Sequence, residues 1–273
     1  PLTNDDYRVD KMRHGKKGKG KDLSTVIYNS RITITGIPPE AYEYVVNGSK
    51  MFITSGMRAD YYTVAVRTGG PGASGVSLLL IERDREGFGR TKLKKMGWWA
   101  SDTAQLFFDN VRVPVDNLIG AENKGFIGIM LNFNQERLGM SAGACGYAQV
   151  CLDEAIAYAR ERHTFGKPLI ANQVVRHRLV DMAMRINAVQ STLELLAYRV
   201  GQGEKPVAEI CMLKNLATST MEYCANEAMQ IFGGAGYLRG AKVERIYRET
   251  KVMSIGGGSV EIMKDLAARQ MGL

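Results

Sequence analysis

The sequence predicts a multi-domain α and β protein, with an antiparallel β-barrel or sandwich over residues 1–118 and a four-helix-bundle domain over residues 119–273. Two observations carry this prediction. Between residues 118 and 123 the spacing of apolar residues changes from the period of two of a half-buried strand to the 3.6 of a helix. The punctuation changes with it, from closely set turn signals to glycines at the ends of long periodic segments.

At 273 residues, with 45% hydrophobic and 23% charged residues, the composition is that of a soluble globular protein with one large domain or two ordinary ones. The formal charge of +8 is unevenly spread. Arg8, Lys11, Arg13, Lys16, Lys17, Lys19 and Lys21 face the single acid Asp10, with Gly15, Gly18 and Gly20 between them. Such a stretch reads as a solvated loop, and residues 1–30 as a degenerate or flexible start. A nucleic-acid tail would need interleaved aromatics and a reader fold, and the sequence has neither. Strands are expected at Ile32–Thr35, Tyr42–Asn47, Lys50–Thr54, Tyr61–Arg67, Val76–Ile81, Lys92–Lys95 and Ala104–Val113, which alternate or run apolar and are rich in β-branched and aromatic residues. Asn47-Gly48, Gly69-Gly70-Pro71-Gly72 and Asp84–Gly89 read as the turns between them.

Helices are expected at Gly125–Arg162, Ala171–Gly201, Pro206–Phe232, Lys242–Met253 and Val260–Met271. Gly166, Gly201, Gly203, Gly233 and Gly234 supply the stops, and Pro206 suits a first helical turn. The first helix carries Phe126, Ile127, Met130, Phe133, Met140, Tyr147 and Val150 on most of its faces, with a run of small residues at Gly139–Gly146. A helix of this kind packs either against a second subunit or in a crowded core of its own domain. Cys145, Cys151, Cys211 and Cys224 lie within helices, without metal-ligand spacing, and read as buried reduced thiols. No apolar run approaches the ~20 residues of a membrane span.

Four segments in order carry a family resemblance: Asn47–Gly56, Lys95–Thr103 continuing to Phe108–Gly120, Glu161–Gly166, and Gln230–Tyr237. Together they resemble the acyl-CoA dehydrogenases from about residue 40 to the end. The resemblance implies FAD as cofactor, an acyl-CoA as substrate, an electron-transfer flavoprotein as electron acceptor, and a homodimer or homotetramer in the bacterial cytoplasm or mitochondrial matrix. It lays the strand Met51–Ser55 against the flavin, with Phe52 stacked on the ring where many members have tryptophan, Ile53 beside it, and Thr54 donating near N5. It carries Arg162 and Thr164, with Gln230, Gly233 and Gly234, to the FAD of a partner subunit, and adds Ser259 as a further cofactor contact. Gly240 departs from the family pattern, which has an acidic or amide residue there.

Removing an α-proton from a thioester needs a carboxylate beside the substrate. Many members keep that glutamate in the loop before the last helix, where this chain reads Ser254-Ile-Gly-Gly-Gly-Ser259, with Gly257 at the expected position. The branch that includes the long-chain and isovaleryl enzymes carries the base on the first long helix, where this chain has Glu136. The resemblance thus implies Glu136 as base and the Gly257 N–H as donor to the thioester oxygen. Phe133, Arg137 and Gly258 are the expected substrate contacts, and no metal is expected.

Full-length members begin with a helical domain for which this chain has no counterpart. Pro1–Asp10 resembles a worn copy of the first flavin segment, in which Leu2, Thr3 and Asp10 match and Arg8 and Val9 do not, so that Thr3 becomes a cofactor contact. A second register instead sets Asp22–Val26 just after that motif, with the basic run as an insertion. The chain could be a fragment, could depend on a partner for the first domain, or could have lost catalysis. A non-catalytic helical assembly protein and an acyl-CoA oxidase are the two alternatives to a dehydrogenase.

Overall fold

The computed structural model describes residues 43–273 throughout, together with three short strands: β1 (Asp10–Met12), β2 (Val26–Ile27) and β3 (Ile32–Thr33). Thr3 and all but the β1 stretch of the basic segment lie outside the described residues. The chain divides into two compact units, Pro1–Leu131 and Asn132–Leu273.

The first unit holds two sheets. One runs β1, β4 (Glu43–Thr54), β8 (Thr103–Pro114), β7 (Phe88–Lys92), with β3 also on β4. The other runs β2, β5 (Tyr61–Arg67), β6 (Val76–Glu82), β9 (Leu118–Ile119). The pairing is antiparallel except between β2 and β5, which are parallel, a correction to the expected all-antiparallel arrangement. The chain between those two strands visits the other sheet through β3 and β4, and so has the length a parallel return requires. Tyr44, Val46, Tyr62, Val64, Leu79, Ile81, Leu106 and Phe108 form one buried core. Burial stabilises each such aliphatic or aromatic side chain by about 1.5–3 kcal/mol. The Phe88 ring enters this core 4.9 Å from Tyr62 and 5.0 Å from Phe108. That anchor sets β7 at Phe88–Lys92, not at the expected Lys92–Lys95.

Two bulges break the alternation, and their effects are legible residue by residue. On β8 the buried apolar positions are Ala104, Leu106 and Phe108, then Val111 and Val113, and the ladder with β4 shifts register between Val46 and Gly48. The extra residue belongs to β8, where Asn110 takes a φ of 50°. Asn47 satisfies it: its Oδ1 accepts from the Asn110 N–H at 2.8 Å, and its Nδ2 donates to Asn110 Oδ1 at 3.2 Å. Asn47-Gly48 is therefore no turn, and the two expected strands on either side of it are the single strand β4. The second bulge falls on β4, where Lys50 faces Leu106 but Ile53 faces Ala104.

Lys50 occupies an inward position ahead of that bulge and is 1% exposed. Its Nζ donates to Ala65 O on β5 at 2.9 Å and so ties the two sheets together. Burial depresses its pKa to about 7.

α1 (Gly125–Glu161) begins in the first unit and runs into the second. It buries Ala144, Ala148, Cys151, Leu152, Ala155 and Ala159 at steps of three and four. Its small-residue run splits by face: Ser141, Ala144 and Cys145 are buried, whereas Gly139, Ala142, Gly143 and Gly146 are exposed. α2 (Gln173–Gly201) buries the stripe Val175, Leu179, Met182, Ile186, Val189. α3 (Val207–Phe232) is buried on nearly every side and packs against α2, α4 (Lys242–Ile255) and α5 (Val260–Met271). After α1 the chain makes a small hairpin, β10 (His163–Thr164) and β11 (Lys167–Pro168). Gly166 was expected to stop the helix but instead turns this hairpin. Phe165 (φ 51°) and Gly166 (φ 80°) are the two positive-φ residues that a tight primed turn demands. The four cysteines are free and buried, and burial pushes Cys151 and Cys224 up to about 12, so both stay protonated. Among the described residues no helix is long and apolar enough to cross a membrane.

The depressed Lys50 pKa predicts a stability signature. Below pH 7 both folded and unfolded states hold the proton, and the cost of the buried charge is fully present. Between pH 7 and about 10.5 the unfolded chain binds more protons than the folded one, so stability from this group rises with pH. Urea unfolding of wild type and Lys50→Met from pH 6 to 10 should show the wild type gaining on the variant across that window. A constant difference would show that Lys50 does not titrate in the folded protein.

Candidate active site

In the first unit the bulge on β4 re-aims the chain. Phe52 adopts a φ of 61° and leaves its ring 75% exposed, while Ile53 points into the core at 5% exposure and Thr54 again faces outward. An aromatic residue in the left-handed region costs conformational energy, and such strain persists only where the surroundings hold it. Here they do. Ser55 N–H donates to Asp102 O at 3.1 Å, Met57 N–H donates to Asp102 Oδ2 at 2.7 Å, and Arg58 Nε lies 3.4 Å from Asp102 Oδ1. Tyr62 Oη donates to Gly56 O at 2.9 Å. A Cβ on Gly56 would stand 2.7 Å from that of Ala104, so only glycine lets the turn lie this close to β8. Sequence reasoning missed Asp102 as the anchor of this turn. A carboxylate between a loop and the start of a strand is a weak local signal.

In the second unit Glu136 is exposed on α1, and its Oε1 accepts from Asn132 Nδ2 at 2.5 Å. Arg137, next to it, is 4% exposed. Its guanidinium lies 5.0 Å from the Phe133 ring centroid, donates from Nε to Gly257 O at 3.0 Å, and from Nη1 to Asn134 Oδ1 at 3.3 Å. Burial lowers its pKa from the ordinary arginine value. Gly257 (φ 66°) and Gly258 (φ 112°) follow α4 in the conformation glycine tolerates. A Cβ on Gly257 would stand 2.7 Å from Met140 Sδ, one helical turn beyond Glu136. The carboxylate thus sits on α1, and the volume a side chain at 257 would need is taken by Met140. Ser259 caps α5, its Oγ accepting from the Ile262 N–H at 3.5 Å.

The same loop is held from below by a residue the sequence did not single out. Lys214 on α3 is completely buried, and its Nζ donates to Ser254 O at 3.0 Å and to Gly258 O at 2.7 Å. Burial brings its pKa down to about 8. The available signal was a lysine whose helical neighbours Ile210, Cys211, Ala217 and Thr218 are apolar or small.

Arg162, Thr164, Gln230, Gly233 and Gly234 gather at another place in this unit. The rings of Tyr158 and Phe232 stack at 4.3 Å and 14°, joining the end of α1 to the end of α3. Arg162 is exposed, and among the described residues no carboxylate pairs with it. Gly233 and Gly234 are bare backbone with open space where a Cβ would be. Along α1, Arg162 lies roughly 39 Å from Glu136, at ~1.5 Å per residue. An exposed guanidinium beside uncovered glycine backbone suits an anion such as a pyrophosphate.

Most of the chain is similar to known proteins. The acyl-CoA dehydrogenase middle-domain model matches residues 18–111, and the acyl-CoA dehydrogenase C-terminal-domain model matches residues 123–272. An acyl-CoA dehydrogenase of Alternaria alternata is 38% identical over 248 residues, covering 87% of this chain and 57% of the relative. The cyclohexane-1-carbonyl-CoA dehydrogenase of Geobacter metallireducens is 36% identical over 230 residues, covering 84% and 60%. The crystal structure of an acyl-CoA dehydrogenase from Geobacillus kaustophilus superposes with a TM-score of 0.83 at 36% identity, covering 97% of this chain and 69% of that one. The chain therefore spans somewhat more than half the length of these two curated relatives.

Because Phe52 is strained and hardly packed, its contribution to folding is small. Phe52→Gly should unfold within about 1 kcal/mol of wild type, since glycine relieves the positive φ while loosening the unfolded chain. Thermal and urea unfolding check this. A loss of several kcal/mol would show that the ring packs against the protein.

Proposed function

Because this chain belongs to the acyl-CoA dehydrogenase family, we propose that it carries out FAD-dependent α,β-dehydrogenation of an acyl-CoA thioester to the 2-enoyl-CoA, passing the electrons to an electron-transfer flavoprotein. The observation that carries the reading is the pairing of an exposed Glu136 on α1 with a Gly257 whose side-chain volume is filled by Met140. One position offers a carboxylate, and at the other a positive φ and the neighbouring Met140 both disfavour a side chain.

Glu136 takes the α-proton. The hydrogen bond from Asn132 orients the carboxylate. The Gly257 N–H donates to the thioester oxygen and stabilises the negative charge that develops there as the proton leaves. Arg137 supports this by gripping Gly257 O. Phe133 and Gly258 complete the substrate side. FAD, when bound, supplies the hydride acceptor at the β-carbon. Phe52 and Thr54, the outward-facing residues of this stretch of β4, would hold its ring, whereas the Ile53 side chain is taken up by the β core.

The distance along α1 bears on assembly. A single cofactor reached by Glu136 is too far away for Arg162, Thr164, Gln230, Gly233 and Gly234 of the same chain. These residues serve the pyrophosphate of a second copy, which makes the protein a homodimer or homotetramer. The exposed apolar side chains Val180, Met184, Leu195 and Tyr198 of α2 support such an assembly. The relatives' names span different acyl groups, among them cyclohexane-1-carbonyl-CoA and isobutyryl-CoA.

Replacing Glu136 by Gln keeps size and hydrogen bonding but removes the base. FAD-loaded wild type mixed anaerobically with straight and branched acyl-CoAs should bleach its flavin bands. The variant should bind the same ligands and bleach about 10²–10⁴-fold more slowly. Equal rates would exclude Glu136 as base, and a wild type that never bleaches would exclude the dehydrogenase reading.

A further inference from the structure

The loop between α4 and α5 is built from peptides whose hydrogen bonds can be followed one at a time. Ser254 O is taken by Lys214 Nζ, Gly256 N–H by Val252 O at 2.7 Å, Gly257 O by Arg137 Nε, and Gly258 O by Lys214 Nζ again. Asn215, the residue after Lys214, donates from Nδ2 to Val260 O at 3.0 Å. Among the described residues neither Gly256 O nor Gly257 N–H has a protein partner. The peptide plane between Gly256 and Gly257 is therefore the open one, with fixed planes on both sides. A peptide is rigid and nearly planar, so fixing its neighbours leaves it few orientations.

Lys214 is an expensive way to hold a loop. Its ammonium is fully buried, and among the described residues no carboxylate pairs with it. Burying an ammonium away from water is unfavourable, and burial accordingly lowers the Lys214 pKa. Two carbonyls in good geometry offset part of that cost. A methionine would fill the same space and leave both carbonyls without a donor.

We propose that Lys214 is a positioning residue for the reaction: by bonding the carbonyls of Ser254 and Gly258 it fixes the triglycine loop so that the Gly257 N–H stays aimed outward, ready for the thioester oxygen. This rests on the dehydrogenase reading above for what the N–H meets, but not for the clamp itself. Lys214 has a role distinct from that of Arg137, which grips the carbonyl next to the open peptide from the α1 side. The two cations hold the loop from two helices, and α3 holds both of its ends.

Lys214→Met tests this in the full chain by two readouts. Amide hydrogen exchange followed by mass spectrometry should show faster exchange in peptides covering residues 252–263, with α2 and the remainder of α3 unchanged. Flavin bleaching by acyl-CoA at saturation should slow by about 10²-fold while FAD is retained, as expected for a misplaced reaction group. Lys214→Gln keeps two N–H donors on a shorter stem, and should restore part of the loop's protection and part of the rate. Unchanged exchange in Lys214→Met would overturn the clamp, and faster exchange throughout the bundle would overturn it in favour of a general stabilising role. A wild-type chain that loads FAD but does not bleach would overturn the catalytic reading, while the exchange comparison would still decide whether Lys214 holds the loop.

Discussion

Between Ser254 and Val260 the main chain leaves one helix, takes two positive-φ steps at Gly257 and Gly258, and enters another. The last carbonyls of a helix have no partner within it, and a buried carbonyl left without a donor costs free energy. In this protein the donors are two cations from distant points of the chain, Arg137 on α1 and Lys214 on α3. Their burial is unfavourable alone and tolerable only because the carbonyls are there. Loop and cations thus require each other, and the packing of α3 amid α2, α4 and α5 follows the same centre. Met140 closes the arrangement by occupying the space at Gly257.

The β unit solves a similar problem with bulges. A strand has a period of two, so one inserted residue moves every later side chain to the other face. On β8 the insertion at Asn110 is matched by Asn47, whose amide both accepts from and donates to it. On β4 the insertion ahead of Ile53 turns Phe52 out of the sheet and keeps Ile53 in the core. An exposed aromatic ring in a strained conformation contributes little to folding. Its retention is best understood through what it meets outside the chain, and the turn anchored by Asp102 keeps it presented.

Length sets the remaining constraint. α1 carries Glu136 near one end and leads to Arg162 at the other, which separates the two groups of candidate residues by more than a single cofactor would bridge. The exposed face of α1 formed by Gly139, Ala142, Gly143 and Gly146 carries only small side chains, which let another backbone come close. The buried cysteines take no part: their thiols are held protonated by the core around them.

The sequence by itself determined the change from strands to helices, the limits of β5 and α5 to the residue, and the four segments that resemble a known family. The pairing of Glu136 with Gly257 came from the resemblance to that family. Local pattern misled at Asn47-Gly48 and at Gly166, where the same residues serve a turn, a bulge or a hairpin according to what faces them. Tertiary structure alone decided which charged residues are buried. Lys50 reaches a carbonyl 15 residues away, and Lys214 reaches carbonyls 40 and 44 residues away. Nothing within a helical turn or a strand repeat of either lysine announces those partners. A hydrogen bond depends on position in space, and position in space is fixed only when the whole core has closed.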